Sequence, residues 1–334
     1  MKRTEKDICI VIPSYRRSEE VDKTLASLIK YKNIPGKIYV VDQSEDNSTK
    51  KVVQKYKKKL PVEFVFSKQP SSSIAKNKGV NLAKKKYPLI LILDDDVDLL
   101  KDYFKNALKE FNSHPDLMGL GGLNEATLKQ KPMSFFLYIY SKIFFLPLEE
   151  KNKFRIRSSY GNTGSMRLSK PVRDVEWLPG FNMLFRREVF ENYAMPESKG
   201  YNVLEDLDSS YYTFRKFGKG SLVITPACRA NHRFSQTARY PTKKRVFVNH
   251  EDHLYFQYTY FPGLTNKIIF QWSKIGIVLG LLVRAIFIPT KNNCLALKYN
   301  LQALKQARKN KEKIRKGILR TFLNPDLSMT KEYI

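Results

Sequence analysis

Three consecutive carboxylates, Asp94, Asp95 and Asp96, close a run of branched aliphatic residues from Leu89 to Leu93. Side by side they repel one another, so without a counter-charge at least one should titrate high. Asp94 and Asp96 lie two apart, and a loop leaving a strand can aim both into one pocket. Hard carboxylate oxygens there suit Mg²⁺ or Mn²⁺, with water and substrate phosphate as the other ligands. A second acid cluster, Glu205-Asp206-Leu207-Asp208, stands at the expected start of a helix. With two clusters, one carboxylate can bind metal while another, with no cation beside it, stays basic enough to accept a proton. His232 follows a short strand-like run, Leu222 to Thr225, and a neutral imidazole can complete a metal shell. A plainer reading stands beside each: both acid clusters could simply open helices, the first over Tyr103 to Phe111. His250 and His253, in NHEDH, read as surface residues because no third ligand is evident.

The elements that must position these groups follow from hydrophobic periodicity. Ile8 to Ile12 reads as a first strand, and a helix with Val21, Leu25, Leu28 and Ile29 on one face follows. Lys37 to Val41 is a second strand, and Val52, Val53, Tyr56 and Leu60 mark the next helix. Val62 to Phe66 is a third strand, and Ser71 to Ser73 can cap a helix carrying Ala75, Gly79, Leu82 and Ala83. That helix leads into the strand Leu89 to Leu93, whose carboxyl end is where an open α/β sheet binds ligands. Alternation of this kind implies parallel βαβ units and brings Tyr15, Asp42, Ser67 and Asp94 to one rim. Leu117 to Leu123 is a further possible strand. Met133 to Leu148 is dense in aromatic and aliphatic residues and reads as a core helix or as one lying in a membrane interface. Lys151 to Arg173 reads as a mobile loop able to close over a substrate. Trp177 to Arg187 is a turn and then a strand, and Tyr201 to Phe217 carries acids into a helix.

At 334 residues, 42% of them hydrophobic, the chain can bury a sizeable core in one large domain or two. Its formal net charge of +28 implies an anionic partner. Cys9, Cys228 and Cys294 form no CxxC pair, so neither a disulfide framework nor a zinc site is indicated. The apolar run near the N-terminus is too short for a signal peptide, and a cytoplasmic location is expected. Ile268 to Ile288, interrupted by Lys274 and Arg284, reads as an interfacial or re-entrant helix rather than a clean span. The basic run Lys305 to Lys316 after it would attract anionic lipid. Neither GxGxxG nor GxxxxGK[ST] occurs, so phosphate charge would fall to a metal and to Arg16, Arg17 and Lys76.

Six stretches, in order, carry a resemblance. Ile12-Pro-Ser-Tyr-Arg-Arg resembles IPTYNR, Val40-Val-Asp-Gln-Ser-Glu-Asp-Asn-Ser resembles VVDDGSTDNS, and Ser73-Ile-Ala-Lys-Asn-Lys-Gly resembles SAARNxG. Leu93-Asp-Asp-Asp-Val resembles LDxDD, and Gly180-Phe-Asn-Met-Leu-Phe-Arg-Arg and Glu205-Asp-Leu-Asp resemble later acceptor-side and ED motifs. Together they are similar to family 2, the inverting nucleotide-sugar glycosyltransferases of the GT-A fold. The resemblance implies an α/β, Rossmann-like, mainly parallel sheet over residues 1–265, while the apolar and basic runs beyond it point to a membrane-associated helical extension over 266–334. It implies that Pro13, Tyr15, Arg17, Asp42, Lys76, Asp94 and Asp95 hold the nucleotide of the donor. Asp96 and His232 would bind Mg²⁺ or Mn²⁺, Asp206 would deprotonate the acceptor hydroxyl, and Gly180, Phe181, Asn182 and Glu205 would line the acceptor side. The resemblance implies a nucleotide-sugar donor as partner. Ile268 to Ile288, the aromatic segment from Met133 and the overall charge suggest a glycan or lipid-linked, membrane-proximal acceptor and an anionic membrane surface at the cytoplasmic face, as in surface polysaccharide or glycolipid assembly. Two positions depart from the pattern: Gln43 replaces the second acid of a turn one residue shorter, and Lys76 replaces an arginine, losing its fork. Nucleic-acid binding is the competing reading of so basic a chain, but the lysines are scattered and no RRM, KH or zinc-finger signature occurs. A sugar-nucleotide binder without catalysis is a third, and the presence of Asp94, Asp96 and Asp206 speaks against it.

Overall fold

The computed structural model describes residues 2–31, 33–159, 162–197, 205–237 and 241–319. Strands β1 (Ile8–Ser14), β2 (Lys37–Asp42), β3 (Val62–Phe66) and β4 (Leu89–Leu93) alternate with helices α1 (Ser18–Ile29), α2 (Ser48–Tyr56) and α3 (Ser72–Ala83). The stripes that predict these helices are the buried ones: Val21, Leu25 and Leu28 on α1, Val52 and Val53 on α2, and Ala75, Val80 and Ala83 on α3. Every residue of β4 is buried, as befits a central strand covered on both faces.

After β4 the chain does not enter a helix. Asp94 to Asp96 form a turn, β5 (Val97–Leu99) follows, and α4 (Tyr103–Ser113) starts only after Asp102, so the acids are not a helix's first turn. Next come β6 (Gly119–Asn124), α5 (Phe135–Ile143), β7 (Val172–Arg173), β8 (Asn182–Arg186), α6 (Glu205–Phe217) and β9 (Leu222–His232). The nine-stranded sheet runs β3-β2-β1-β4-β8-β6-β9-β5, with β7 also on β9. Its first four strands are parallel, and β8 is antiparallel to both β4 and β6. Because Asn182 pairs with Leu93, Gly180 and Phe181 enter at the rim where Asp94 leaves.

β9 is longer than its first apolar residues suggest. The strand-like run read from the sequence stops at Thr225, and Pro226 lacks the donor that a continuing strand would use. Instead the pairing with β6 jumps from Gly122↔Thr225 to Leu123↔Arg229, a bulge that carries the strand past Pro226. The continued strand meets β5, where His232 pairs with Val97. The bulge is what delivers the histidine to the residue after Asp96.

The chain divides into two compact units. One holds residues up to 130 with 166–197 and 205–237, and the other holds 131–159, 162–165 and 241–319. The second contains α5, α7 (Thr242–Tyr260), α8 (Leu264–Phe287), α9 (Lys291–Lys309) and α10 (Lys311–Arg315). α5 is not a core helix: Phe135, Phe136, Leu137, Ile139 and Ile143 are all exposed. The segment expected to be a mobile loop is tied internally at Thr163, whose hydroxyl donates to Lys153 O (2.6 Å) and accepts from Arg155 N (3.0 Å). The helix expected over Tyr201 to Phe217 is described from Glu205, and Tyr201 to Leu204 lie outside the described residues.

Gly79 sets how closely α3 lies on the sheet. A Cβ there would stand 2.3 Å from Val11 Cγ1, on a stiff β-branched side chain of β1. Gly79→Ala gains up to about 1 kcal/mol of helix propensity, but forcing α3 outward costs about 1–3 kcal/mol. A lowered urea midpoint is therefore expected; a raised one would show that α3 is not held at this distance.

Candidate active site

The three acids have three different environments. Asp95 turns back into the protein: Ser14 Oγ donates to its Oδ2 (2.9 Å), and Arg17 Nη1 lies 2.7 Å from its Oδ1. Its backbone carbonyl accepts from Thr24 Oγ1 at 2.7 Å and Arg233 Nη2 at 3.2 Å. Burial pushes Asp95 up to about 7 against the pull of Arg17. Asp96 is clamped on both oxygens. Arg17 Nη2 (2.7 Å) and Ser235 N (2.9 Å) donate to Oδ2, and His232 Nε2 lies 3.1 Å from Oδ1. Burial would raise Asp96, but His232 and Arg17 outweigh it and hold the carboxyl well below the usual range. Asp94 is raised by burial, with Lys76 and His232 opposing, and its backbone N–H donates to Phe181 O at 3.1 Å.

Asp94, Asp96 and His232 converge: one ligand atom from each lies within 4.8 Å of the others, the single grouping of three or more such donors among the described residues. Two oxygens and an imidazole nitrogen suit Mn²⁺ or Mg²⁺. Ligands at right angles about an ion with bonds of about 2.1 Å stand about 3.0 Å apart, close to the 3.1 Å between Asp96 Oδ1 and His232 Nε2. The residues therefore fit the ion. His232 is held in orientation by Phe181 and Phe234, stacked on it with ring centroids at 5.2 and 4.1 Å.

On the neighbouring elements, Lys76 of α3 and Glu205 of α6 form a buried pair at 3.1 Å, and Ser72 Oγ donates to the same Glu205 oxygen at 2.9 Å. Burial alone would lower Lys76; Glu205, Asp94 and Asp206 together raise it, so it stays charged. The other Glu205 oxygen is buried with no protein partner. Asp206, like Asp95, is left basic, but among the described residues no arginine sits on its oxygens. Burial and the adjacent Glu205 push it up to about 7, with Lys76 opposing, and Leu207 N donates to its Oδ1 at 2.7 Å. A Cβ at position 180 would stand 2.5 Å from Asp206 Oδ2, so Gly180 is the residue that lets this carboxylate approach the strand entry.

The remaining sequence-predicted residues divide by place. Pro13 lies in β1 opposite Val41, at the rim. Tyr15 donates to Glu45 Oε1 (3.1 Å), and Arg16 covers its ring and pairs with Glu45. Asp42 is buried at the end of β2, accepts from Ser44 Oγ at 2.8 Å and is raised by that burial. Asn182 is fully buried, and its Oδ1 accepts from Gly122 N (3.1 Å), so it braces the sheet. Gln43 explains its own departure: Nε2 donates to Ser71 O (3.0 Å) and to Gln69 O, which an acid could not do.

His250 and His253 are not surface residues. His250 is buried, with Nε2 2.9 Å from Asn300 Oδ1, and burial and Lys274 push it down to about 4. His253 faces Lys274 Nζ at 3.1 Å. α7 packs against α8 and α9, which is why its polar positions face inward.

Arg233 is the residue that sequence reading missed. It reaches Glu20 Oε2 (2.7 Å), Thr24 Oγ1 (2.9 Å), Asp98 and the Asp95 carbonyl, bracing the acid turn from behind. The signal available was its place directly after His232 in an otherwise alternating strand end.

Residues 9–194 match the family model described as Glycosyl transferase family 2. Among curated proteins, chondroitin synthase of Pasteurella multocida (strain Pm70) is 30% identical over 115 residues, 34% of this chain and 12% of that protein, so the chain spans a small part of that relative's length. Among solved structures, mannosyltransferase PcManGT from Pyrobaculum calidifontis, in complex with GDP-Man and Mn²⁺, aligns with a TM-score of 0.54 at 13% identity, over 92% of this chain and 87% of that one. S. aureus TarS in complex with UDP-GlcNAc aligns with a TM-score of 0.51 at 14% identity, over 93% and 88%. The mixed sheet with flanking helices is the GT-A fold these structures share. With its family match covering more than half its length, the chain belongs to glycosyl transferase family 2.

Proposed function

We propose that the protein transfers a sugar from a nucleoside diphosphate donor, UDP being the expected nucleotide, to a hydroxyl of a glycan or lipid-linked acceptor, with inversion at the anomeric carbon. The observation that carries this reading is the pairing of a metal-ligand set, Asp94, Asp96 and His232, with a separate carboxylate, Asp206, left basic near neutral pH. The ligands named for the Pyrobaculum and S. aureus structures support a donor of this class and Mn²⁺ as the ion.

In this reading Asp96 and His232 would hold a divalent ion, with Asp94 sharing it or meeting the ribose. A bound divalent ion supplies positive charge against the departing diphosphate. Pro13, Tyr15 and Asp42 sit on the rim for the base and ribose, and Lys76 places a buried cation toward the phosphates. Arg17 acts as a positioning cation: its fork holds Asp95 inward and fixes Asp96 Oδ2, so that Oδ1 faces the ion site. Asp206 takes the acceptor proton as the acceptor oxygen attacks the anomeric carbon, and Gly180 leaves it room. Glu205 orients Lys76 and stands beside Asp206, keeping its carboxyl high.

Three outcomes test this. With a panel of sugar nucleotides, Asp206→Asn should lower kcat for nucleotide release by about 10²–10⁴ with KM for donor little changed; full activity removes the base from Asp206. Because the base works deprotonated and its pKa is about 7, kcat/KM should fall about tenfold per pH unit below that value and level off above it. A profile flat from pH 5 to 8 would assign the proton elsewhere. Arg17→Met should cost about 3–5 kcal/mol in urea unfolding, the loss expected when buried carboxylates lose their cation; an unchanged midpoint would contradict its positioning role.

A further inference from the structure

α8 is built inside out for water. Its buried side chains include Ser273 and Lys274, with Phe270 and Gly276, while Leu264, Ile268, Trp272, Ile275, Leu279, Leu282, Val283, Ile286 and Phe287 are exposed. Those positions recur every three or four residues, so one apolar stripe runs the length of a 24-residue helix and faces outward. α5 repeats the inversion: its one buried residue is Ser141, and Phe135 and Phe136 are 72% and 85% exposed. The two helices form one surface. Phe144 stacks on Trp272 with ring centroids 5.1 Å apart, and Gly276 leaves room for it, since a Cβ there would lie 2.4 Å from Phe144 Cβ. The polar handles on this face are satisfied within the protein: Tyr140 OH donates to Gly276 O (2.5 Å) and Trp272 Nε1 to Ile143 O (2.9 Å). What remains outward is mostly hydrocarbon, with Gln271 the exposed polar residue on the stripe itself.

We propose that α5 and α8 form a docking face that lies in the plane of an anionic lipid bilayer without crossing it. This rests on and deepens the reading of a lipid-linked acceptor by naming the surface that meets the membrane. Charge selects the lipid. From Leu264 to Leu319 the single acid is Glu312 among many lysines and arginines, and Lys142, Lys267, Arg284, Lys291 and Lys298 are exposed beside the apolar stripe. Packing selects the in-plane orientation. Phe270 on the inner face of α8 joins Leu254 of α7, Ala307 of α9 and Ile314 of α10 in one core. α9 turns back after Ile288 to Thr290 and packs along both α7 and α8. A spanning α8 would drag the exposed Lys298, Lys305 and Arg308 of α9 into the hydrocarbon. An in-plane α8 leaves them in water or at the headgroups.

Flotation of the full chain, without detergent, on phosphatidylcholine vesicles containing about a third phosphatidylglycerol tests the proposal. The protein should float with these vesicles and at least about tenfold less with phosphatidylcholine alone. Phe136→Glu and Ile286→Glu, both at exposed positions, should each reduce flotation by about tenfold or more while leaving nucleotide affinity unchanged, which separates lost docking from misfolding or from an error in the catalytic reading. In a Trp177→Phe background Trp272 is the only tryptophan, and lipids brominated near the headgroup should quench it more than lipids brominated at the chain ends. Three results overturn the proposal: no flotation with the anionic vesicles, strongest quenching from the deepest bromines, or a dimer in solution that Ile286→Glu dissolves with no lipid binding by either form.

Discussion

The site depends on one guanidinium. Two carboxylates about 4 Å apart in a partly buried setting repel by roughly 4 kcal/mol, and this chain places three in succession at the end of its central strand. Arg17 resolves the conflict with geometry as well as charge. Its two terminal nitrogens each sit 2.7 Å from a different acid, Asp95 and Asp96, so one planar fork draws one carboxylate inward and fixes the other. A lysine, presenting one compact charge, could not hold the two separate oxygens in this way. With Asp95 withdrawn, Asp94 and Asp96 are left to face His232, and the turn becomes a place for a cation rather than a cluster in need of one.

The second constraint is distance between opposite functions. Acids with different neighbours titrate differently, which lets one chain hold a carboxylate that stays charged and another that can take a proton near neutrality. In this chain the two environments fall on different elements. Asp96 lies beside Arg17 and His232, whereas Asp206 opens α6 beside another acid, with Lys76 turned toward Glu205. Gly180 is the small residue on which the second arrangement turns, because any side chain there would push into Asp206.

The parallel half of the sheet was legible residue by residue, since buried strands and amphipathic helices write their periods directly into the sequence. β3 and β4 end where the apolar runs end. The antiparallel half was less so. The strand-like run stops at Thr225, and only long-range pairing with β6 and β5 carries β9 on to His232. The acids and the histidine could be picked out by type, yet the roles of Arg17 and Arg233 could not, because nothing local separates a cation that meets phosphate from one that braces an acid turn. His250 and His253 misled for a related reason: a polar stretch reads as surface unless the helices that cover it are known. The same inversion, polar inside and apolar outside, governs α8 and α5, where composition gave an apolar segment but not the direction it faces.

The proposed activity requires that Asp94, Asp96 and His232 form a divalent-ion site that holds a nucleoside diphosphate. Titration calorimetry of UDP and GDP against the wild-type chain and Asp96→Asn, each with Mn²⁺ and with chelator, tests that most directly. The wild type should bind one of the nucleotides at least about tenfold more tightly with Mn²⁺, and Asp96→Asn should lose that difference. Equal affinity with and without the metal, or a Mn²⁺ effect that survives in Asp96→Asn, would contradict it.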